Sequence, residues 1–102
     1  MRHHIATTAE LRVGLMRFVA GDTPLCVATL EDGSCFAISD VCTHEHESLS
    51  QGALIGYKVE CPGHLSLFDV RTGEVLGAPA LEPVQAFPVL VEGDDVYVDL
   101  PS

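Results

Sequence analysis

Apolar residues occur in short runs along this chain, and several of the runs alternate with polar positions. Within residues 13–19, Val13, Leu15, Arg17 and Val19 share one parity, which is the two-residue period of a half-buried strand. Residues 25–30 form a continuous apolar run, and residues 96–100 alternate again. No segment keeps the 3.6-residue period of an amphipathic helix. The pattern therefore predicts short strands and little helix.

Turn signals separate these runs and indicate how the strands connect. Asp32-Gly33 supplies the positive φ of a tight hairpin, and glycine turns follow at 71–74 and 92–95. Many short strands separated by such turns are typical of an all-β sandwich or a small barrel. A chain of 102 residues is the length of one domain, so we expect a single domain over residues 1–102.

Two stretches lack a strand pattern. Residues 1–10 show no periodicity, so we expect this start of the chain to be flexible. The connector that contains Pro79, Pro83 and Pro88 is expected to be a loop or a sheet edge, because proline has no N–H for a ladder.

Charge narrows the possible partners. Fifteen Asp and Glu residues against five Lys and Arg give a formal charge of −10. Nucleic acids and anionic membranes attract basic patches, so both are excluded as partners. The charge favours a partner with a basic docking face, although an acidic surface also simply keeps a protein in solution. No apolar run is long enough for a membrane span, and no signal segment is evident, so we expect a cytoplasmic protein.

Two closely spaced Cys-His pairs are candidate metal ligands. One residue separates Cys42 from His44, and two residues separate Cys61 from His64. Thiolate and imidazole together suit an iron–sulfur cluster or zinc and disfavour calcium or magnesium. The other two cysteines, Cys26 and Cys35, lie in strand-like runs and are expected to be buried thiols rather than a disulfide, because a cytosolic setting keeps thiols reduced.

The two pairs resemble the ligand boxes of a known family. Cys42-Thr43-His44 and Cys61-Pro62-Gly63-His64 are similar to the two boxes of the Rieske [2Fe–2S] proteins. The likeness extends into the flanks and covers roughly residues 13–100. In the flanks the sequence resembles the small bacterial Rieske ferredoxins that serve ring-hydroxylating dioxygenases.

The resemblance implies both a fold and a function. It implies an antiparallel β-sandwich with a small subdomain in which loops at about 40–50 and 60–68 hold one [2Fe–2S] cluster. Cys42 and Cys61 would bind the inner iron, and His44 and His64 the outer iron near the surface. The protein would then pass single electrons from an NAD(P)H-dependent flavin reductase to a terminal Rieske non-haem iron oxygenase in aromatic hydrocarbon catabolism. It would be an electron-transfer component rather than an enzyme, and we expect a monomer that docks transiently at the cluster tip.

Departures from the respiratory Rieske proteins predict a low reduction potential. Those proteins join their two loops by a disulfide, whereas here Gly63 occupies the position of the second loop's extra cysteine. Phe68 replaces a tyrosine whose hydroxyl contributes to the cluster region, while Ser66 matches a serine position and could either bond the cluster or be an ordinary strand residue. Fewer hydrogen bonds leave the negative charge of a cluster less stabilised, which lowers its potential.

The residues after His44 make the tip acidic. Glu45 and Glu47 could favour docking to a basic surface or be merely solvated, and His46 is expected to be an exposed neighbour rather than a ligand.

Three alternatives have to be weighed against this interpretation. A structural zinc module uses the same Cys₂His₂ donors. The small subunit of an assimilatory NADH-dependent nitrite reductase shares the Rieske fold. A complete Rieske oxygenase is not expected, because apart from the isolated His3-His4 pair the sequence offers no spare His pair for a mononuclear iron. The sequence also lacks a nucleotide-binding fingerprint, so we expect a separate reductase.

Overall fold

The computed structural model describes residues 1–43, 47–63, 66–78, 80 and 82–101. These residues form eleven β-strands and two short 3₁₀ turns, Thr8–Glu10 and Leu49–Gln51. In chain order the strands are β1 Arg2–Thr7, β2 Gly14–Ala20, β3 Thr23–Thr29, β4 Cys35–Ser39, β5 Ala53–Ile55, β6 Lys58–Glu60, β7 Leu67–Asp69, β8 Val75–Gly77, β9 Ala86–Phe87, β10 Val89–Glu92 and β11 Asp95–Asp99. The expected all-β class is confirmed. In the described ranges no helix is long and apolar enough to cross a membrane.

The strands of the described residues pair into three antiparallel sheets. One sheet has the order β1-β11-β10, the second β2-β3-β4-β9 and the third β5-β6-β7-β8. Most neighbours are sequential hairpins, so their register follows from the turns that the sequence predicts. The pairing of β1 with β11 joins the two ends of the chain, and that of β4 with β9 closes the second sheet across the intervening subdomain.

Two apolar clusters hold the sheets together. The first lies between the first two sheets and contains Leu25 and Val27 of β3 and Val98 of β11, all fully buried. The second joins the inner face of the second sheet to the third, through Cys26, Ile38, Val59 and Phe68. Because β3 is buried on both faces, its residues alternate between the two clusters, which is why its sequence is an unbroken apolar run.

The third sheet is the small subdomain that the resemblance implied. Its strands β5 to β8 are three residues each, and a compact polar network fixes the turn between β7 and β8. Buried Asp69 forms two hydrogen bonds with the Arg71 guanidinium, at 3.1 and 2.9 Å, and these lower the pKa of the Asp69 carboxyl. The same guanidinium stacks over the Tyr57 ring, 3.9 Å from its centroid. These contacts tie the β5–β6 hairpin to β7 at one end of the subdomain.

The start of the chain holds regular structure that its sequence pattern does not predict. Residues 1–10 show no periodicity and are expected to be flexible, yet Arg2–Thr7 is a strand paired with β11, and a 3₁₀ turn follows it. Its sequence is polar because it is an edge strand that is mostly half-exposed, with only Ala6 fully buried. Its stability comes from backbone pairing with a strand some ninety positions away, which no local pattern reveals.

Two smaller differences concern the connector with the prolines. Val75–Gly77 forms β8 on the edge of the third sheet, and β9 is a separate two-residue strand before Pro88. The remaining expected strands are present, with ends that differ by one or two residues. Cys26 is a buried thiol and Cys35 a half-buried one, without a disulfide between them, as expected.

Candidate metal centre

The first ligand loop begins where β4 ends. Val41 forms an isolated antiparallel bridge with Ser48, and the Cys42 N–H donates to the Glu47 carbonyl at 2.8 Å. The two stems of the loop are therefore held together at its base by backbone pairing. This local pairing fixes the backbone of Cys42.

The second ligand loop is built the same way between β6 and β7. The Cys61 N–H donates to the Ser66 carbonyl at 2.8 Å, which closes the loop. Within it Pro62 restricts the backbone, and Gly63 has a φ of +97°, a conformation that favours glycine. The Cys61 thiol also lies 3.4 Å from the Pro62 carbonyl oxygen, to which it donates.

The structure brings the two predicted cysteine ligands into one environment. Cys42 and Cys61 are both fully buried and belong to the same apolar cluster, together with Leu49 and Phe68. A thiolate pair that is shielded from water on two adjacent loops is suited to a metal that prefers sulfur. The predicted ligands His44 and His64 lie outside the described residues, as do Glu45 and His46.

A third segment, formed by the connector that was predicted to be a loop or a sheet edge and described here by residues 80 and 82–84, fastens both ligand loops. The Ala80 N–H donates to the Ser66 hydroxyl oxygen at 3.0 Å, and the Thr43 hydroxyl donates to the Glu82 carbonyl at 2.7 Å. Ser66 is thus more than an ordinary strand residue, because its buried side chain anchors this segment. The prolines around residues 79–83 were the available signal, since they favour a rigid loop.

Glycine 73 anchors the far end of this third segment. The Val84 N–H donates to the Gly73 carbonyl at 2.9 Å, and a Cβ at Gly73 would lie 2.0 Å from the Val84 oxygen. Only a residue without a side chain permits this approach. The third segment is consequently held at three points across the loops.

The other cysteines and the N-terminal histidines lie elsewhere. Burial and the charge of Asp40 raise the pKa of Cys26 to about 12, so that thiol stays protonated and is a poor ligand. His3 and His4 sit on opposite faces of β1: the ring of His4 contacts Asp95 at 3.0 Å, while His3 Nε2 is buried and has no hydrogen-bond partner among the described residues. Within the described ranges no three His, Cys, Asp or Glu side chains come together as a further metal site.

The fold and the paired cysteine loops define a class: a small β-protein that holds an iron–sulfur centre for electron transfer. The model of the Rieske [2Fe–2S] domain matches residues 2–88. The chain therefore belongs to the Rieske [2Fe–2S] family, and its cofactor is one Rieske-type [2Fe–2S] cluster. The two buried cysteines on zipped loops fit the sulfur half of the ligand set that this cluster needs.

Relatives of known role show which members of the family this chain is similar to. The biphenyl 2,3-dioxygenase ferredoxin component of Rhodococcus jostii (strain RHA1) is 41% identical over 94% of this chain and 90% of that protein. The ferredoxin component of the p-cumate 2,3-dioxygenase system of Pseudomonas putida is 44% identical over 68% of this chain, and the match spans 59% of that protein. Proteins of this kind are electron carriers rather than catalytic subunits, and this chain is one of them.

Solved structures agree with this placement. In a complex of reduced oxygenase and oxidized ferredoxin in carbazole 1,9a-dioxygenase, the matching chain is 35% identical with a TM-score of 0.85, covering 94% of this chain and 99% of that one. A chain named as an NADH-dependent nitrite reductase small subunit from Mycobacterium tuberculosis has a TM-score of 0.86 at 20% identity, which shows the shared fold alone. The nitrite reductase alternative is accordingly less supported than the dioxygenase ferredoxin.

Proposed function

We propose that this protein carries single electrons from an NAD(P)H-dependent flavin reductase to a terminal Rieske non-haem iron oxygenase that hydroxylates an aromatic ring. The support is the 41% identity to the biphenyl dioxygenase ferredoxin over almost the whole of both chains. The ferredoxin–oxygenase complex from the carbazole system supports a terminal oxygenase as the electron acceptor. We propose the cytoplasm as its compartment, a monomer as its working form, and a single domain over residues 1–102 as its organisation.

The observation that carries this proposal is the burial of two cysteines on adjacent, internally zipped loops. We assign Cys42 and Cys61, with His44 and His64, as the cluster ligands on loops 40–50 and 60–68. The bound cluster supplies a one-electron couple. The protein's own part is to fix the ligand backbones through the Cys42–Glu47 and Cys61–Ser66 hydrogen bonds and to keep water from the sulfur side.

Ligand substitutions test this assignment. Cys42→Ser and Cys61→Ser each remove a thiolate, so we expect the coloured centre and its electron paramagnetic resonance signal to disappear. Cys26→Ser is the matched control and should keep both, because Cys26 lies on β3 outside the loops. A normal Rieske spectrum in His44→Ala or His64→Ala would refute the histidine assignment, and a colourless wild-type protein with one bound zinc would end the Rieske interpretation.

We further propose a low reduction potential. Phe68, at the position of the respiratory tyrosine, is fully buried and offers no hydroxyl, so one donor of those proteins is missing here. With fewer donors directed at it, the reduced state of a cluster is less stabilised. A redox titration should place the couple well below that of the respiratory Rieske proteins, and a midpoint near theirs would contradict the proposal.

The docking face is proposed to be the acidic tip. Glu47 and Glu82 are both exposed, on the first loop and on the third segment, and the Thr43–Glu82 hydrogen bond brings these two segments together. Reconstituted NADH oxidation with candidate reductases and oxygenases tests the pathway directly. We expect turnover of an aromatic-ring oxygenase to depend on this protein; dependence of a nitrite reductase instead would favour the alternative.

A further inference from the structure

The residue just after β4 carries a carboxylate that the electron-carrier role does not by itself explain. The side chain of Asp40 is 3% exposed, although a charged group is normally kept in water unless it is paired. Its two carboxylate oxygens accept hydrogen bonds from three groups, two on the first ligand loop and one on β2. The arrangement indicates a carboxylate that the fold holds in a defined position rather than a solvated surface side chain.

The contacts of Asp40 close the base of the first ligand loop. Its Oδ1 accepts the Ser50 N–H at 2.7 Å, and its Oδ2 accepts the Ser48 hydroxyl. The Asp40 carbonyl accepts the Leu49 N–H at 2.8 Å. The returning stem of the loop, residues 48–50, is therefore attached to Asp40 at the start of the outgoing stem.

Other contacts of Asp40 attach the loop to the sandwich. The Asp40 N–H donates to the Pro24 carbonyl of β3 at 3.0 Å. The Arg17 Nε on β2 donates to Oδ2 at 3.2 Å, and its side chain remains 54% exposed. The loop is thus fixed to two strands that take no part in metal binding.

We propose that Asp40 is a positioning residue for electron transfer: it fixes the first ligand loop to β2 and β3, and its buried charge lowers the reduction potential of the centre. This inference rests on the proposed function. Asp40 stands two residues before Cys42, so their Cα atoms are at most about 7 Å apart. A fixed negative charge at that range opposes the arrival of an electron, and in a water-poor setting the effect is weakly screened. The same charge contributes to the raised pKa of the neighbouring Cys26 thiol.

Under this proposal, variants of the holoprotein that neutralise Asp40 or Arg17 should shift its midpoint potential in opposite directions. Asp40→Asn keeps an oxygen for the Ser50 amide but removes the charge, so the midpoint potential should rise. Arg17→Gln removes the cation that partly neutralises the carboxylate, so the potential should fall. Glu31→Gln and Arg12→Gln change the net charge equally at exposed positions near the opposite end of β3 and should shift the potential much less.

A second measurement tests the positioning role independently of the cluster's potential. Asp40→Ala removes the acceptors of two loop groups, so hydrogen–deuterium exchange of the peptide over residues 41–50 should speed up about tenfold or more, because a hydrogen bond to a charged group contributes at least that much. Exchange over β10 and β11, in a different sheet, serves as the internal reference.

The outcomes separate cleanly. Opposite shifts for Asp40→Asn and Arg17→Gln, with fast loop exchange in Asp40→Ala, support the proposal. Equal shifts in the test and control variants, or unchanged loop exchange, overturn it. If Asp40→Asn takes up no cluster, the comparison of Arg17→Gln with Arg12→Gln decides alone. A wild-type protein without a Rieske spectrum defeats the proposed function, whereas a normal wild type with unresponsive variants defeats only this inference.

Discussion

At the scale of single residues, a few positions determine whether the ligand loops can close. Cys42 and Cys61 are the proposed metal donors, and Asp40, Ser66 and Gly73 hold the backbone around them. Each of these supporting residues acts through a specific atom, so conservative substitutions should separate their effects. Substitutions at these supporting positions therefore test the loop contacts one at a time.

Gly73→Ala should loosen the third segment. Gly73 has a φ of +80°, and a Cβ there would approach the Val84 oxygen to 2.0 Å, so the backbone has to shift. Gly33→Ala is the matched control, because Gly33 has a φ of +91° but open space around it. We expect Gly33→Ala to cost about 1–2 kcal/mol of conformational strain and Gly73→Ala clearly more. Thermal unfolding followed by visible absorbance measures both, and equal melting temperatures would contradict the contact argument.

Cys26 should resist alkylation in the native holoprotein. With its pKa raised from 9.0 to about 12, the thiolate fraction at pH 9 falls from one half to roughly one in a thousand. Its iodoacetamide labelling rate should therefore keep rising above pH 9, where an ordinary thiol has begun to level off. Cys35, less buried, should react faster. Site-resolved mass spectrometry gives both rates; a Cys26 rate that levels off near pH 9 would rule out the raised pKa.

At the scale of elements, β1 shows how a polar stretch becomes a strand. Its backbone pairs with β11 from Arg2 opposite Asp99 to Thr7 opposite Asp95, with an irregularity between His4 and Ala6. The exposed ion pairs along it contribute little, because solvent screens them. Its anchoring comes instead from the ladder and from the single buried residue, Ala6.

Ala6→Asp tests whether β1 is packed. The Ala6 side chain is 2% exposed opposite Val96, so an unpaired carboxylate there should cost about 3 kcal/mol or more. His4→Gln breaks the half-exposed contact with Asp95 and the edge contact with the Tyr97 ring, and it should stay within about 1 kcal/mol of wild type. Thermal melts of both variants provide the comparison, and a neutral Ala6→Asp would mean that β1 contributes nothing to stability.

At the scale of the whole molecule, charge and topology bear on the proposed docking. The formal charge of −10 produces a long-range field that attracts a basic partner. The two ligand loops lie between β4 and β7, on the side of the fold where the third segment also crosses. Under the proposed docking, a partner drawn in by this field would meet the acidic tip as well as the sandwich.

Electron transfer to the oxygenase should slow with salt. Between ionic strengths of about 0.01 and 0.3 M, screening shortens the range of the field, so the second-order rate should fall on the order of tenfold. Stopped-flow oxidation of the reduced protein measures this rate. Oxidation by a small uncharged mediator is the control and should not respond, whereas a partner rate that is flat or rising with salt would argue against electrostatic steering.

Much of this architecture follows from local signals. The apolar alternation and the glycine turns predicted β2 to β4 and the closing hairpin, because hairpin partners are close in sequence and their register follows from the turn. The spacing of Cys42, His44, Cys61 and His64 predicted the family, which the comparisons confirm. The roles of the individual ligands stay a prediction.

By itself, then, the sequence determined the strand class and the acidic surface, since these depend on residue type and short spacing, and its resemblance to the Rieske proteins indicated the kind of metal centre. Only the tertiary structure decided that β1 pairs with β11, that Asp40 is buried at the base of a ligand loop, and that the segment around Ala80 fastens to Ser66. The physical reason is that these contacts join residues distant along the chain. Their energies depend on burial and hydrogen-bond geometry, which arise only once the sheets have packed.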